Sequence, residues 1–184
     1  MSSELQHWRV VRAETVFNAS PWFSVDKQVL ELPEGRIIDG YYRIEQRDFV
    51  SIVPVRADGL ILGLWRYKHG PQCVNLGVPA GIVELGEEAL AAAQRELAEE
   101  CALASAQWKS LGSFCMDGNR SGQHCHIFAA LNCEATAPRD SDDLEEARPS
   151  WLSRAEWQAH LENGDVATAG AALAIMRFLS QERD

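Results

Sequence analysis

The order of elements along the chain predicts an α+β fold: a mixed β-sheet held between helices, preceded by a small β subdomain. Three observations carry this. Short runs of alternating apolar and polar residues, separated by turn signals, fill residues 7–67. One strongly acidic helical segment at about 87–101 interrupts the strands. Two more strand patterns follow, and helical periodicity closes the chain.

Residues 7–18 alternate weakly through Trp8, Val10, Val11, Val16 and Phe17. Trp22 to Leu32 alternates more clearly through Phe23, Val25, Val29 and Leu30. Pro33-Glu34-Gly35 is a turn signal, and Arg36 to Ile44 is the expected return strand. These strands define a subdomain over residues 1–46 and leave 47–184 as the larger domain. Phe49 to Val55 is a mostly apolar strand, Asp58-Gly59 a hairpin turn and Leu60 to Tyr67 the next strand. Pro79-Ala80-Gly81 is an expected turn ahead of the acidic helix. Trp108 to Phe114 and His126 to Asn132 flank a glycine-rich loop, Asp117 to Gly122. Pro138 to Glu146 is an acidic loop, and Trp151-Leu152 a short strand. Ser153-Arg154-Ala155-Glu156 fits a capping box opening a helix that Asn163-Gly164 ends. Thr168 is placed to cap a last helix to about Ser180, amphipathic through Leu173, Met176 and Leu179.

Composition narrows the function. The 184 residues are 46% hydrophobic, enough for a core in one domain with a small appended unit. No run of 18 apolar residues is present, and the N-terminus lacks the basic and apolar regions of a signal peptide. Five cysteines without paired spacing predict a reduced, cytoplasmic protein. His124-Cys125-His126 has the residue types of a metal site, but alternation on a strand is expected to split them between faces. A net charge of −10 argues against nucleic-acid and anionic-membrane partners. A phosphorylated small substrate stays compatible, because a bound cation inverts the local field.

The acidic segment carries the chemistry. Glu96, Glu99 and Glu100 stand at i, i+3 and i+4 and so share one helix face. Like charges at that spacing repel, and a divalent cation turns the repulsion into coordination. Oxygen-only ligands suit Mg²⁺ or Mn²⁺. Leu90, Leu97 and Cys101 are expected to seal the opposite face onto the sheet, with Ala92 among the acids keeping their face open. Arg95 stands four residues before Glu99 and can fix its rotamer. Glu87 is expected near the helix start, where the macrodipole favours an anion.

Gly81, Glu87, Arg95, Glu96, Leu97, Glu99, Glu100 and Leu103 fall at the positions of the Nudix signature, which the segment resembles. Ala102 stands where the family has the glycine that ends the helix. The resemblance implies a Nudix-type α/β/α sandwich and metal-dependent hydrolysis of a diphosphate linkage. It runs over roughly residues 20–180 and looks like the branch that cleaves ADP-ribose and nucleoside-diphosphate sugars. By that resemblance Glu96, Glu99, Glu100 and the Ala80 carbonyl are metal ligands, with Arg95 in the catalytic set. Glu145, or next to it Glu146, is the acid that activates water. Trp22 and Tyr42 match base-stacking positions, Arg47 a phosphate contact, and Arg66 and Lys68 approximate another basic position. Gly81 and Glu87 support the motif. The branch also implies a homodimer that exchanges its N-terminal strands. Gly77 departs from it, since a glutamate usually stands two residues before Pro79-Ala80-Gly81, and the 116–122 loop lacks the proline that goes with ADP-ribose preference. Two alternatives remain: a Nudix-fold sensor that binds without cleaving, and a hydrolase of nucleoside triphosphates or dinucleoside polyphosphates.

Overall fold

A computed structural model describes residues 5–137 and 146–181. The chain forms two compact units: residues 1–47 with 115–123, and residues 48–114 with 124–184.

The first unit is built on an antiparallel meander of β1 (Arg9–Ala19), β2 (Phe23–Glu31) and β3 (Ile37–Gln46). Gly35, at φ +81°, supplies the left-handed residue of the β2–β3 turn. Gly40, at φ +92°, is the extra residue of a bulge: Tyr41 pairs with Gln28 and Asp39 with Val29. The tip of a later hairpin completes this unit, with Ser121 in register with Ile44 and the Arg120 carbonyl accepting from the Ile44 amide at 2.7 Å.

The second unit holds β4 (Phe49–Pro54), β5 (Ile61–Lys68), β6 (Cys73–Gly77), β7 (Ala80–Ile82), α1 (Ala89–Cys101) and β8 (Leu103–Ala104). β9 (Gln107–Asp117) and β10 (Ser121–Leu131) form the long hairpin whose tip belongs to the first unit. β11 (Glu134–Ala135), β12 (Ala147–Leu152), α2 (Arg154–Asn163) and α3 (Ala169–Ser180) follow. β4 pairs in parallel with β10 and antiparallel with β7, so this sheet is mixed. β12, β5 and β6 form a second, antiparallel sheet.

Strand alternation makes β4 the middle layer of an α/β/α sandwich. Val50 and Ile52 face the cluster containing Ala92, Ala93 and Leu97 of α1. Phe49 and Ser51 face α3, where a Cβ on Gly170 would lie 3.1 Å from the Phe49 ring. On β5, Leu62 and Leu64 join the α1 side of the core.

Several sequence expectations need correction. Pro79-Ala80-Gly81 is not a turn, because Ala80 to Ile82 is a short strand in register with Ser51, Val50 and Phe49. The 117–122 segment is a tight turn at 118–120 flanked by strand residues on both sides. β6 carried no alternation strong enough to announce it. The acidic helix starts at Ala89, so Glu87 precedes its first turn. Ala92 is fully buried, whereas Leu90 is exposed. α3 buries Gly170, Ala171, Ala174, Ile175 and Phe178, and Met176 faces solvent. The capping box at Ser153 and Glu156 forms as expected, and Gly164 closes α2 in the left-handed region. Thr168 occupies the N-cap position of α3, but its side chain makes no cap hydrogen bond.

Candidate active site

The acidic residues lie on the flank of α1 that turns toward the sheet. With about 100° per residue, Glu96 and Glu100 fall between Ala92 and Ala93 around the helix. They therefore point into the fold and not away from it. Alanines at 89, 92 and 93 let the helix approach closely enough for two carboxylates to reach the strands.

Glu100 is held from two sides. Arg66 Nη1 and Nη2 donate to its two oxygens at 3.0 and 3.3 Å, and the Ala80 amide donates at 3.2 Å. Arg66 also donates to the Val78 carbonyl at 2.9 Å. Its side chain is only 4% exposed, that of Glu100 10%. Burial pushes the Glu100 carboxyl up from its ordinary value, and nearby Glu96 adds to this, against the pull of Arg66. Arg66 shares a strand face with Leu62 and Leu64, which explains its partner on α1. The resemblance expects it at a substrate-contacting position, and its guanidinium here donates to Glu100 and Val78.

Glu96 lies against the backbone of Gly81, where any Cβ would stand 1.9 Å from its Cδ. That glycine is required by close approach, not by turn geometry. Arg95 ties the rest together. It donates to both Glu87 oxygens at 3.1 Å, to Glu96 at 2.6 Å, to Glu99 at 3.2 Å and to the Ile82 carbonyl at 3.0 Å. The expected Arg95–Glu99 pair is thus one arm of a larger network. Hydrogen bonding from Arg95, and from the Glu84 amide, holds the Glu87 carboxyl below its ordinary range. The same carboxylates, Glu87 first, push the Arg95 guanidinium further up.

Among the described residues, no group of three or more His, Cys, Asp or Glu side chains stands in a metal-holding arrangement. The arginines intervene: Arg66 takes Glu100, and Arg95 takes Glu96 and Glu99. The donor chemistry nonetheless suits a hard divalent ion, with oxygens only, and Glu96 is near enough to Glu100 to raise its carboxyl.

Lys68 lines a small cavity of this unit with Arg66 and Ala80. Glu146 is exposed and directly precedes β12, whose first residue, Ala147, is in register with Arg66. Glu145 lies outside the described residues. His124 and His126 share a strand face and Cys125 is turned away and buried, the split that strand alternation predicts. Their rings stack at 6.3 Å, and Asp48 accepts from the His124 amide at 2.7 Å and lies 3.1 Å from His126 Nε2.

Trp22, Tyr42 and Arg47 belong to the first unit. Trp22 is 69% and Tyr42 53% exposed, so both present ring surface to solvent. Tyr42 also borders a cleft with Trp8, Tyr41 and Arg120. The Arg47 carbonyl accepts from Gln123 Nε2 at 2.7 Å.

The layers, the glycine-backed glutamate and the arginine-braced acidic helix define the Nudix class. A NUDIX domain model matches residues 45–169, and the chain belongs to the Nudix family. It is 30% identical over 188 residues to the ADP compounds hydrolase NudE of Escherichia coli (strain K12), covering 99% of this chain and 96% of that protein. A crystal structure of an ADP compounds hydrolase superposes with a TM-score of 0.81 at 25% identity, over 97% of this chain and 96% of that one. The chain is a pyrophosphohydrolase.

Proposed function

We propose that the protein hydrolyses the diphosphate linkage of a nucleoside diphosphate joined to a sugar or similar group, of the ADP-ribose type. The products are a nucleoside monophosphate and a sugar phosphate. The observation that carries this reading is the arrangement of Glu96, Glu99 and Glu100, braced by Arg66 and Arg95 beside the Ala80 backbone. The names of the similar proteins, both ADP compounds hydrolases, favour an ADP-containing substrate.

Glu96, Glu99, Glu100 and the Ala80 carbonyl would hold Mg²⁺ or Mn²⁺. When bound, such an ion supplies Lewis-acid polarisation and charge neutralisation at the phosphoryl oxygens. The chain supplies positioning. Arg66 fixes Glu100 in one rotamer, and Arg95 does the same for Glu96, Glu99 and Glu87. Glu145, with Glu146 as the second choice, removes a proton from water. The water oxygen attacks one phosphorus, the bridging P–O bond breaks, and the second phosphate leaves with the bridging oxygen. Lys68 and Arg47 serve the phosphates, and Trp22 and Tyr42 stack the base. The protein works as a homodimer through its N-terminal strands.

The test is a substrate panel with Mg²⁺ and with Mn²⁺: ADP-ribose, nucleoside-diphosphate sugars, NADH, a nucleoside triphosphate and a dinucleoside polyphosphate. Release of a nucleoside monophosphate from ADP-ribose or another sugar conjugate is expected. Turnover confined to the last two, or tight binding without turnover, would overturn the proposal.

A further inference from the structure

A cavity of about 130 Å³ adjoins the Arg66–Glu100 pair within the second unit. Whole small-molecule sites typically measure about 300–1,000 Å³, so this one takes a single moiety. Its walls include Arg66, Lys68, Asn75, Gly77, Thr168 and Gly170.

Two uncharged polar side chains, Asn75 and Thr168, border it. Asn75 is 2% exposed, yet its amide makes one long contact, Nδ2 to the Arg66 carbonyl at 3.5 Å. Its Oδ1 has no hydrogen bond among the described residues. The amide borders the cavity, where a ligand can reach it. Thr168, also on the wall, makes no side-chain cap hydrogen bond at the N-cap of α3. Both groups suit a partner that donates and accepts. A hydroxyl does so whichever way the Asn75 amide is turned, whereas a phosphate oxygen only accepts and cannot pair with Oδ1.

The glycines make the room. A Cβ on Gly77 would meet no atom within 4 Å, so the missing side chain leaves open space. A Cβ on Gly170 would lie 3.1 Å from Phe49 and 3.4 Å from Ser51 Oγ, so its absence lets α3 close on the strand that floors the cavity.

We infer that this cavity is a sugar subsite, in which Asn75 reads a hydroxyl of the non-nucleoside half of the substrate and Gly77 provides the space. The inference rests on the pyrophosphatase reading above. Asn75 is thereby a specificity-determining residue, and a second nucleoside is too large for the pocket.

The test compares kcat/KM for ADP-ribose with that for the β-methyl ester of ADP, which keeps the diphosphate and lacks the sugar. The wild-type protein should prefer ADP-ribose. In Asn75→Leu that preference should fall about fivefold, as expected for one lost neutral hydrogen bond. Gly77→Val fills open space and leaves the buried amide in place, so it serves even if Asn75→Leu folds poorly. It should lower the preference at least as much, mainly through KM. A preference unchanged in Gly77→Val, or equal wild-type activity on both esters, overturns the sugar subsite and leaves the pyrophosphatase reading standing. Hydrolysis of neither ester, nor of any other sugar conjugate in the panel above, overturns both.

Discussion

Gly81 shows how one missing methyl group can serve a site. Its backbone is not in the left-handed region, so alanine is conformationally acceptable there. The obstacle is Glu96, whose Cδ would stand 1.9 Å from the new Cβ. A carboxylate on a flexible stem can swing away, so the fold survives and the geometry does not. We expect Gly81→Ala to lower kcat by about tenfold or more, in line with losses of preorganised charge, with a melting temperature within a few degrees of wild type. Unchanged turnover would remove Glu96 from the site. Ala102 is the converse case. It ends α1 at φ 50° and ψ 43°, a conformation that costs a non-glycine residue about 1–2 kcal/mol. Ala102→Gly should therefore stabilise the protein by about 1 kcal/mol, which for a chain of this size is roughly 2–4 °C in Tm, with activity unaltered. A lower Tm would show that glycine's greater unfolded-state entropy wins. At this scale the sequence showed the i, i+3, i+4 acids and Arg95 clearly. It hid the Arg66–Glu100 pair, 34 residues apart. A signal did exist: Arg66 directly follows the apolar run Ile61 to Trp65 and alternates in step with Leu62 and Leu64, which implies a buried anion.

Elements were legible where periodicity was long and hidden where packing decided. The strands before residue 68, the capping box of α2 and the acidic helix all stood out. The buried face of α1 did not, because small alanines carry little hydrophobic signal although they set how closely the helix meets the sheet. β7 reads as a turn in the sequence, yet Gly81 there serves close approach to Glu96 instead of chain reversal. The joint between α2 and β5 follows the same logic. Trp157 is completely buried, donates to the Ile61 carbonyl at 3.3 Å and lies over Gly63. A Cβ on Gly63 would come within 2.8 Å of the Trp157 ring and 2.7 Å of Leu76 Cδ1. Both side chains are fully buried and cannot retreat. Gly63→Ala should destabilise by about 1–3 kcal/mol, lowering Tm by several degrees in a thermal melt. Activity per folded molecule should persist, because no acid on α1 contacts this joint. A Tm equal to wild type would mean that the helix shifts freely on the sheet.

For the whole molecule, the sequence carried the sandwich and the N-terminal β unit. It assigned nothing between residues 108 and 132 to that unit, whereas the 115–123 tip joins it through Ile44. A pairing across some 80 residues leaves no local pattern. The same unit raises the question of assembly. Ten of the eleven β1 residues are exposed, with Val10, Val11, Val16 and Phe17 about half open to solvent. Trp8, Trp22, Ile37 and Tyr42 add to this apolar surface. Proteins that remain single protect such an edge, usually with lysine, proline or a covering element. β1 carries Arg9, Arg12 and Glu14, but no lysine or proline. A twofold copy that covers its own equivalent surface is the most economical solution. We therefore expect a dimer at micromolar concentration by light scattering, and a monomer when Val16→Glu places a charge on that surface. Trp22→Ala should raise KM about fivefold or more with a smaller effect on kcat, since base–aromatic stacking is worth about 1–3 kcal/mol and is lost from ground and transition states alike. If Val16→Glu is monomeric and raises KM as Trp22→Ala does, assembly and base binding share one surface. If it is monomeric with KM unchanged, the base site lies within one copy. A wild-type monomer would overturn the dimer outright.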